Sequence, residues 1–204
     1  MSAINSEKIV LASNNQGKIK EIQSILNQHT IITQQELGIQ EIEETGSTFI
    51  ENAILKARNA AHHSNLPAIA DDSGLVVDAL QGAPGIISAR FAGNQATDLD
   101  NLKLVLQKME SIPEGQRQAR FICALVLMRH ANDPFPIIAQ ASWEGSLLSK
   151  SQGTNGFGYD PIFWVAEKNC SSAELSPLEK NQLSHRAQAL RNLEQQLMQL
   201  SVNS

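Results

Sequence analysis

The chain has 204 residues, of which 42% are hydrophobic and 18% are charged, and its formal net charge is −5. This length suffices for one large domain or for two small lobes that share a core. The acidic balance argues against nucleic acid or an anionic membrane as a partner, because both attract basic surfaces. A small anionic ligand in a local basic pocket remains compatible with it.

Three further features of the sequence bear on location. The cysteines, Cys123 and Cys170, are too few for a disulfide framework. No apolar run approaches the roughly 18 residues that a membrane span requires. The amino-terminal stretch 1–13 lacks a basic segment and contains only a short apolar run, so we expect no secretory signal and a cytoplasmic protein.

The first candidate site lies between a strand and a helix. The sequence KIVLAS at 8–13 predicts a buried strand, and a helical pattern starts at Ile19. The polar loop between them ends in Gly17 and Lys18. Because a helix amino terminus attracts anions and Lys18 adds a positive charge, the loop suits phosphate. It is not a Walker loop, and a solvated helix start stays open as the alternative.

An acidic loop and a capped helix follow a second predicted strand at 30–33. The loop at 36–45 includes Glu43 and Glu44. It is either a solvated loop or the source of an oxygen ligand for a hard cation. Thr48 and Glu51 have the spacing of a capping box, which predicts a helix from there to about residue 63. By pattern alone, Lys56 on this helix is a surface lysine.

A pair of adjacent acids, Asp71 and Asp72, follows the short apolar run at 68–70. That run predicts a buried strand that ends at the acids, and a second apolar run covers 75–80. Two carboxylates at the end of a buried strand are costly unless they are paired, hydrogen-bonded or bound to a metal. They indicate either a chemical site or an Asp-Ser-Gly turn held by backbone hydrogen bonds.

The second half of the chain predicts a helix at 97–109 and a hairpin of strands at 120–129 and 137–143. The glycine-rich stretch 153–158 follows. Glycines let a backbone approach a ligand closely, and Phe157 or Tyr159 could stack on a flat ring. The alternative is an ordered turn whose aromatic side chains fill the core.

The chain ends in a strand at 162–165 and helices at 178–183 and 184–200. Basic residues cluster where these two helices meet, at Lys180, His185 and Arg186. Together with the phosphate loop and the acids, they describe a nucleotide-handling site in an α/β fold.

Five stretches in one collinear order resemble the inosine/xanthosine triphosphate pyrophosphatase family, especially its bacterial dITP/XTP branch. They are SNNQGK at 13–18, TGSTFIENAILKA at 45–57, AIADDSGLVVDALQGAPGIISARF at 68–91, GFGYDPIF at 156–163 and EKNQLSHRAQAL at 179–190. Two departures are small. The family's loop often has Thr-Gly-Asn where this chain has Ser13-Asn14-Asn15, and its usual proline before the glycine stretch is replaced around Ser151-Gln152.

The resemblance implies an α/β fold with an elongated mixed central sheet flanked by helices and two lobes around a nucleotide-binding cleft. It further implies a single domain over residues 1–204 and a homodimer. The implied reaction is Mg²⁺-dependent hydrolysis of dITP, ITP and XTP or dXTP to the monophosphate and pyrophosphate, which cleanses the nucleotide pool.

The same resemblance implies roles for individual residues. Asp72 would be the catalytic residue and a metal ligand, with Glu43 or Glu44 as the second ligand. Asp71 would have a supporting or structural role. The substrate-binding residues would be Ser13, Asn14, Asn15, Gln16, Gly17, Lys18, Lys56, Ser73, Phe157, Gly158, Tyr159, Asp160, Lys180, His185 and Arg186.

Two rival functions stay open. One is a related pyrophosphatase that acts on modified pyrimidine or 7-methylguanosine triphosphates. The other is a nucleotide-binding or regulatory protein without activity.

Overall fold

The computed structural model describes residues 8–202, with side chains described for residues 8–199. Residues 1–7, which belong to the amino-terminal stretch considered above, lie outside the described residues. Across 8–202, no helix is long and apolar enough to cross a membrane.

Strands and α-helices alternate through the first half of the described residues. In chain order the elements are β1 (Lys8–Leu11), α1 (Gln16–Ile25), β2 (Thr30–Thr33), α2 (Phe49–Ser64), β3 (Ala68–Val77), α3 (Asp98–Lys108), β4 (Gln118–Met128), β5 (Ile137–Leu147), β6 (Phe163–Val165), β7 (Cys170–Ser171), α4 (Pro177–Leu183) and α5 (His185–Val202). Short 3₁₀ turns connect several of them.

The strands form one mixed sheet in the order β2-β1-β3-β4-β5-β6-β7. β1 pairs in parallel with β2 and β3, whereas β6 pairs antiparallel with β5 and β7. A mixed sheet with flanking helices confirms the predicted α/β class. The elongated shape and the cleft stay predictions.

Local sequence signals account for the helix starts. Capping boxes open α2, α3 and α4, with Thr48, Thr97 and Ser176 as the capping residues. In each case the cap and an acidic residue three positions later satisfy backbone N–H groups that a helix start leaves without partners. The predicted bounds of α2 and α3 therefore agree with the structure to within a residue or two.

The chain divides into two compact units. The first consists of the described parts of Met1–Asp72, Cys123–Ala141 and Arg186–Ser204. One of its two apolar clusters contains Ile22, Leu125 and Leu190. The other contains four alanines of α2, whose small side chains permit close packing, namely Ala53, Ala57, Ala60 and Ala61.

The second unit consists of Ser73–Ile122 and Ser142–His185. Its apolar cluster includes Leu75 and Val105. Several of its aromatic rings are in contact, since Phe121 lies 4.5 Å from Phe163 and 6.4 Å from Trp143 between ring centroids. Such ring contacts add to the stabilisation that burial alone provides.

The acid pair does not end its strand. We predicted a strand over 68–70 that stops at Asp71, but β3 continues through both acids to Val77. The register pairs Val10 with Ala68 and Leu11 with Ile69 in parallel. The loop after β1 and the acids of β3 therefore follow the paired residues at the same edge, where α/β sheets hold ligands.

Candidate active site

The predicted phosphate loop begins helix α1 of the first unit. Asn15 caps the helix, and its side chain accepts a hydrogen bond from the Lys18 backbone N–H at 3.0 Å. The Ser13 hydroxyl accepts from the Asn15 backbone N–H at 3.2 Å. Asn14, Asn15 and Gln16 are exposed, whereas Gly17 and Lys18 are half-buried. The loop thus presents a helix amino terminus and a lysine, which suit an anion.

Asp71 is an ionic junction in the first unit. Its Oδ1 lies 2.5 Å from the Lys18 Nζ, and its Oδ2 lies 2.9 Å from the Arg186 Nε. The Cys123 thiol donates to Oδ2 at 3.1 Å. Arg186 also pairs with Glu21 on α1. Asp71 is 1% exposed and joins the phosphate-loop lysine to the start of α5.

The charges around Asp71 determine its ionisation. Burial would raise the pKa of the carboxyl, but Arg186 and Lys18 outweigh burial and hold it well below its usual value. For Arg186, burial alone would lower the pKa, because burial disfavours the charged form. The negative charges of Asp71 and Glu21 outweigh burial, and the pKa of Arg186 is raised. Asp71 is therefore a carboxylate at neutral pH and is unsuited to accept a proton. The supporting role expected for it stays a prediction.

Asp72 forms a second group with Lys56 and Glu44. The Lys56 Nζ lies 2.7 Å from Asp72 Oδ1 and 2.8 Å from Glu44 Oε1. Asn52 Nδ2 lies 3.4 Å from Asp72 Oδ2. The pattern alone predicted a surface lysine at position 56. In the structure these contacts leave the Lys56 side chain only 16% exposed. Glu43 is exposed, whereas Glu44 is half-buried.

Asp72 has the opposite electrostatic balance to Asp71. Burial raises the pKa of Asp72, and the negative charge of Glu44 raises it further. Lys56 and Lys18 lower it, but the net shift is upward. For Lys56, burial lowers the pKa, but Asp72 and Glu44 outweigh it and the pKa is raised. A carboxylate whose pKa is shifted upward beside a lysine has the properties of a general base.

The Asp72 group also fits a hard cation. Mg²⁺ prefers oxygen ligands and is commonly held by one or two carboxylates together with substrate phosphates. Asp72 and Glu44 supply two carboxylates that share one ammonium group, and the mutual repulsion that helps raise the pKa of Asp72 would be relieved by a divalent ion. The described residues contain no group of three or more His, Cys, Asp or Glu placed to hold a metal.

The glycine-rich stretch and the residues that follow it lie in the second unit and surround Asp160, which is 2% exposed. Its Oδ2 accepts from Lys180 Nζ at 2.5 Å and from the Phe157 backbone N–H at 2.8 Å. Its Oδ1 accepts from Ser172 Oγ at 2.9 Å. Gly156 has a φ of 74°, and a Cβ there would collide with the Asp160 carboxylate. The glycine is therefore required by the fit of the loop around Asp160.

The two aromatic residues of this loop differ. The Phe157 ring is half-buried and lies 4.8 Å from Lys180 Nζ, a cation–π distance. Tyr159 is buried, and its hydroxyl donates to the Ser88 carbonyl at 2.8 Å. Tyr159 thus has the geometry of a core aromatic, which was the alternative interpretation, whereas Phe157 has a partly accessible ring. Gly158 donates its N–H to Asp98 at 2.9 Å.

The remaining predicted residues are divided between the units. His185 is buried in the second unit and stacks on Phe121, with 4.9 Å between ring centroids. Ser73 is half-buried in β3 of the same unit. The first unit holds the phosphate loop, Lys56, Asp72, both glutamates and Arg186.

Sequence reasoning missed several partners of these residues. Glu21 pairs with Arg186, Cys123 donates to Asp71, and Asn52 contacts Asp72. Asn52 and Lys56 lie four positions apart on the predicted helix and so share a face, but this spacing does not reveal which elements the face contacts.

Known proteins resemble this chain over nearly its whole length. Residues 9–196 match the model of the Ham1 family. A dITP/XTP pyrophosphatase of Vibrio parahaemolyticus is 58% identical over 193 residues, covering 94% of this chain and 96% of its own. A protein of the same name from Pseudomonas syringae pv. tomato is 55% identical, covering 95% and 98%.

Solved structures of Ham1 proteins are also similar to this chain. A HAM1 protein from Coxiella burnetii has a TM-score of 0.85 at 48% identity, covering 96% of this chain and 98% of its own. The Staphylococcus aureus Ham1 protein has a TM-score of 0.82 at 39% identity, covering 97% and 100%. The resemblance predicted from the five stretches is thereby confirmed. With a family model and relatives that span nearly all of it, the chain belongs to the Ham1 family.

Proposed function

We propose that the chain hydrolyses the non-standard purine nucleoside triphosphates dITP, ITP and XTP or dXTP to the monophosphate and pyrophosphate. The observation that carries the proposal is the Lys56 ammonium shared by Asp72 and Glu44, in the unit that also contains the phosphate loop. The identity of 58% to a relative named dITP/XTP pyrophosphatase supports the substrate class. The biological role would be to clear these nucleotides before they enter DNA or RNA.

The triphosphate would be held by residues of the first unit. A triphosphate carries about four negative charges, so its binding and cleavage depend on positive groups placed around it. Lys18 and Lys56 supply two such charges, and the start of α1 adds its dipole and backbone N–H groups. Ser13, Asn14, Asn15, Gln16 and Gly17 complete the proposed phosphate loop.

Asp72 would orient the attacking water and accept its proton. The water oxygen then forms a bond to the α-phosphorus while the bond to the bridging α–β oxygen breaks, and pyrophosphate leaves. The raised pKa of Asp72 brings it closer to the value that suits a base at neutral pH. Lys56 balances the charge of the Asp72 carboxylate before the substrate binds, and both lysines favour the leaving pyrophosphate.

Magnesium is the proposed cofactor, with Asp72 and Glu44 as its protein ligands. Bound Mg²⁺ would neutralise phosphate charge and lower the pKa of a coordinated water. Glu44 rather than Glu43 is proposed because Glu44 shares Lys56 with Asp72, whereas the Glu43 side chain is exposed.

The nucleoside would be recognised by residues of the second unit. Phe157, with its partly accessible ring, is the proposed stacking surface, supported by Gly158, Tyr159, Asp160 and Lys180. Ser73 is also proposed to contact the substrate.

Selectivity would come from the 6-position of the base. Hypoxanthine and xanthine present a 6-keto acceptor and an N1–H donor, whereas adenine presents the reverse pair. A donor from His185 or Arg186 would leave adenine mispaired, and a buried mispaired group can lower the rate ~10⁴-fold. Arg186 donates to Asp71 and Glu21, and the ring of His185 also carries an N–H donor. Guanine would be refused because its 2-amino group meets no acceptor.

Further proposals concern the oligomeric state, the cellular location and the domain organisation. The family resemblance supports a homodimer, a cytoplasmic location and one domain over residues 1–204.

A substrate panel tests the proposal. Turnover of ITP, XTP, dITP, GTP and ATP is measured with Mg²⁺, and the product is identified as pyrophosphate or orthophosphate. We expect pyrophosphate from the first three and much slower turnover of GTP and ATP. Preference for a modified pyrimidine or 7-methylguanosine triphosphate would favour the rival pyrophosphatase, and binding without any turnover would favour a regulatory protein.

A further inference from the structure

Asn52, on α2, contacts both carboxylate-bearing segments of the Asp72 group. Its side chain is fully buried, with 0% exposure. The Oδ1 atom accepts from the Gly46 backbone N–H at 2.8 Å, and the Nδ2 atom lies 3.4 Å from Asp72 Oδ2. Gly46 lies two residues after Glu44. One amide group therefore links the loop of Glu44 to the Asp72 carboxylate.

The chemistry of its neighbours fixes the orientation of this amide. An N–H group needs an acceptor and a carboxylate needs a donor. If the amide were turned over, its NH₂ would face the Gly46 N–H and its oxygen would face Asp72. Both contacts would then be repulsive, so Oδ1 toward Gly46 and Nδ2 toward Asp72 is the arrangement that satisfies both groups.

The loop lies close against α2 at this point. A Cβ added to Gly46 would lie 2.6 Å from the Glu51 Cβ and 2.7 Å from Asn52 Oδ1. Such distances leave no room for a side chain, so a glycine allows the loop backbone to reach the amide. The loop backbone therefore packs directly against the Asn52 side chain.

Lys56 lies one helical turn after Asn52 and joins the same two segments through Glu44 and Asp72. The two links differ in charge. An incoming triphosphate attracts the Lys56 ammonium and weakens its hold on both carboxylates. The neutral amide of Asn52 has no net charge to be drawn to phosphate, so we expect a bound triphosphate to disturb its link less.

We propose that Asn52 is a positioning residue that sets the placement of Asp72 relative to the Glu44 loop. The inference rests on the proposed function, because it assigns the two carboxylates to one reaction. Asn52 contacts neither the base nor the phosphates in this role. It acts through the carboxylate that orients the water, where a displacement of about 1 Å can lower a rate ~10²-fold.

Three variants separate the two contacts. Asn52→Ala removes both. Asn52→Asp keeps an oxygen for the Gly46 N–H but replaces the donor to Asp72 with an acceptor. Asn59→Ala is the matched control, because Asn59 lies on the same helix and donates to the Gln40 carbonyl at 2.9 Å, in the same loop but away from Asp72.

Each variant is measured for kcat and KM with ITP and Mg²⁺, for hydrogen exchange of the Gly46 amide without nucleotide, and for thermal unfolding. For Asn52→Ala we expect kcat to fall ~10- to 100-fold with KM changed less than ~3-fold, and Gly46 exchange to rise at least ~10-fold. For Asn52→Asp we expect a similar fall in kcat with Gly46 exchange near that of the wild type. Asn59→Ala should leave both within ~3-fold.

The inference is overturned if Asn52→Ala keeps kcat within ~3-fold of the wild type, if Gly46 exchange does not change, or if Asn59→Ala lowers kcat as much. Should the alanine variant fail to fold, Asn52→Asp carries the test, and wild-type kcat there would equally overturn it. Failure of the proposed function looks different, since the wild type itself would release no pyrophosphate. Slow Gly46 exchange in that protein would still report the amide contact.

Discussion

Lys56 and Asp72 form an ion pair, with 2.7 Å between Nζ and Oδ1 and with side chains only 16% and 7% exposed. The pair explains how a carboxylate whose pKa is raised by burial can remain charged. The lysine balances the charge, and the carboxylate keeps a tendency to accept a proton.

Replacing this carboxylate tests its role as a base. Asp72→Asn keeps the shape of the side chain but accepts a proton poorly. We expect kcat for ITP to fall by roughly 10²- to 10⁴-fold, while nucleotide binding measured by calorimetry changes less than about tenfold. Near wild-type turnover would remove Asp72 from this role.

The two glutamates provide a matched pair for the metal. Glu44→Gln takes away a charge that shares Lys56 with Asp72, and we expect it to raise the Mg²⁺ concentration for half-maximal activity at least ~10-fold. Glu43→Gln, at an exposed position, should change that concentration less than ~2-fold. The reverse order, measured by Mg²⁺ titration of the initial rate, would assign the ligand to Glu43.

Base selectivity can be tested without opening a cavity. His185→Phe retains an aromatic ring to stack on Phe121 but has no ring nitrogen. We expect the ratio of kcat/KM for ITP over ATP to fall at least ~10-fold, because the donor that favours a 6-keto group is removed. Comparison of both substrates in the same preparation is the measurement, and an unchanged ratio would assign the discrimination to another residue.

Arg129 and Asp133 form an ion pair at the turn between β4 and β5. The buried Asp133 carboxylate accepts from Arg129 at 2.6 and 2.8 Å and from the Phe135 backbone N–H at 3.0 Å. The Arg129 hydrogen bonds hold the pKa of Asp133 far below its usual value. The group is therefore more acidic in the folded state, and it stabilises the fold above the unfolded pKa of about 3.9.

The sign of the pH effect follows from that shift. Unfolding by urea should show that Asp133→Asn costs about 1.5–3 kcal/mol at pH 7. That difference between wild type and variant should shrink as the pH falls below about 4, because the wild type then loses the same stabilisation. A difference that stays constant down to pH 2 would show that the contribution does not depend on the Asp133 charge.

Features that depend on neighbours in sequence could be predicted. The capping box of Thr48 and Glu51 needs only residues three positions apart, and it gave the start of α2 correctly. The strand, polar turn and helix of the proposed phosphate loop could be predicted because they follow one another directly. Asp71 and Asp72 could be singled out because they directly follow an apolar run, although their strand is longer than expected.

Contacts between residues far apart in the sequence could not be predicted from it. Asp71 pairs with Arg186, 115 positions away, and no local pattern indicates that contact. Lys56 matches a surface lysine because periodicity reports apolar faces and is silent about opposite charges brought there by another element. Asp71 and Asp72 are adjacent in sequence, yet their pKa values shift in opposite directions because their charged partners differ.

Hydrolysis of ITP in water enriched in ¹⁸O tests the central claim most directly, since it reports which phosphorus the water attacks. We predict that mass spectrometry will find one ¹⁸O atom in each inosine monophosphate and none in pyrophosphate, with the two products formed in equal amounts. Label in pyrophosphate, or release of orthophosphate instead, would contradict attack at the α-phosphorus.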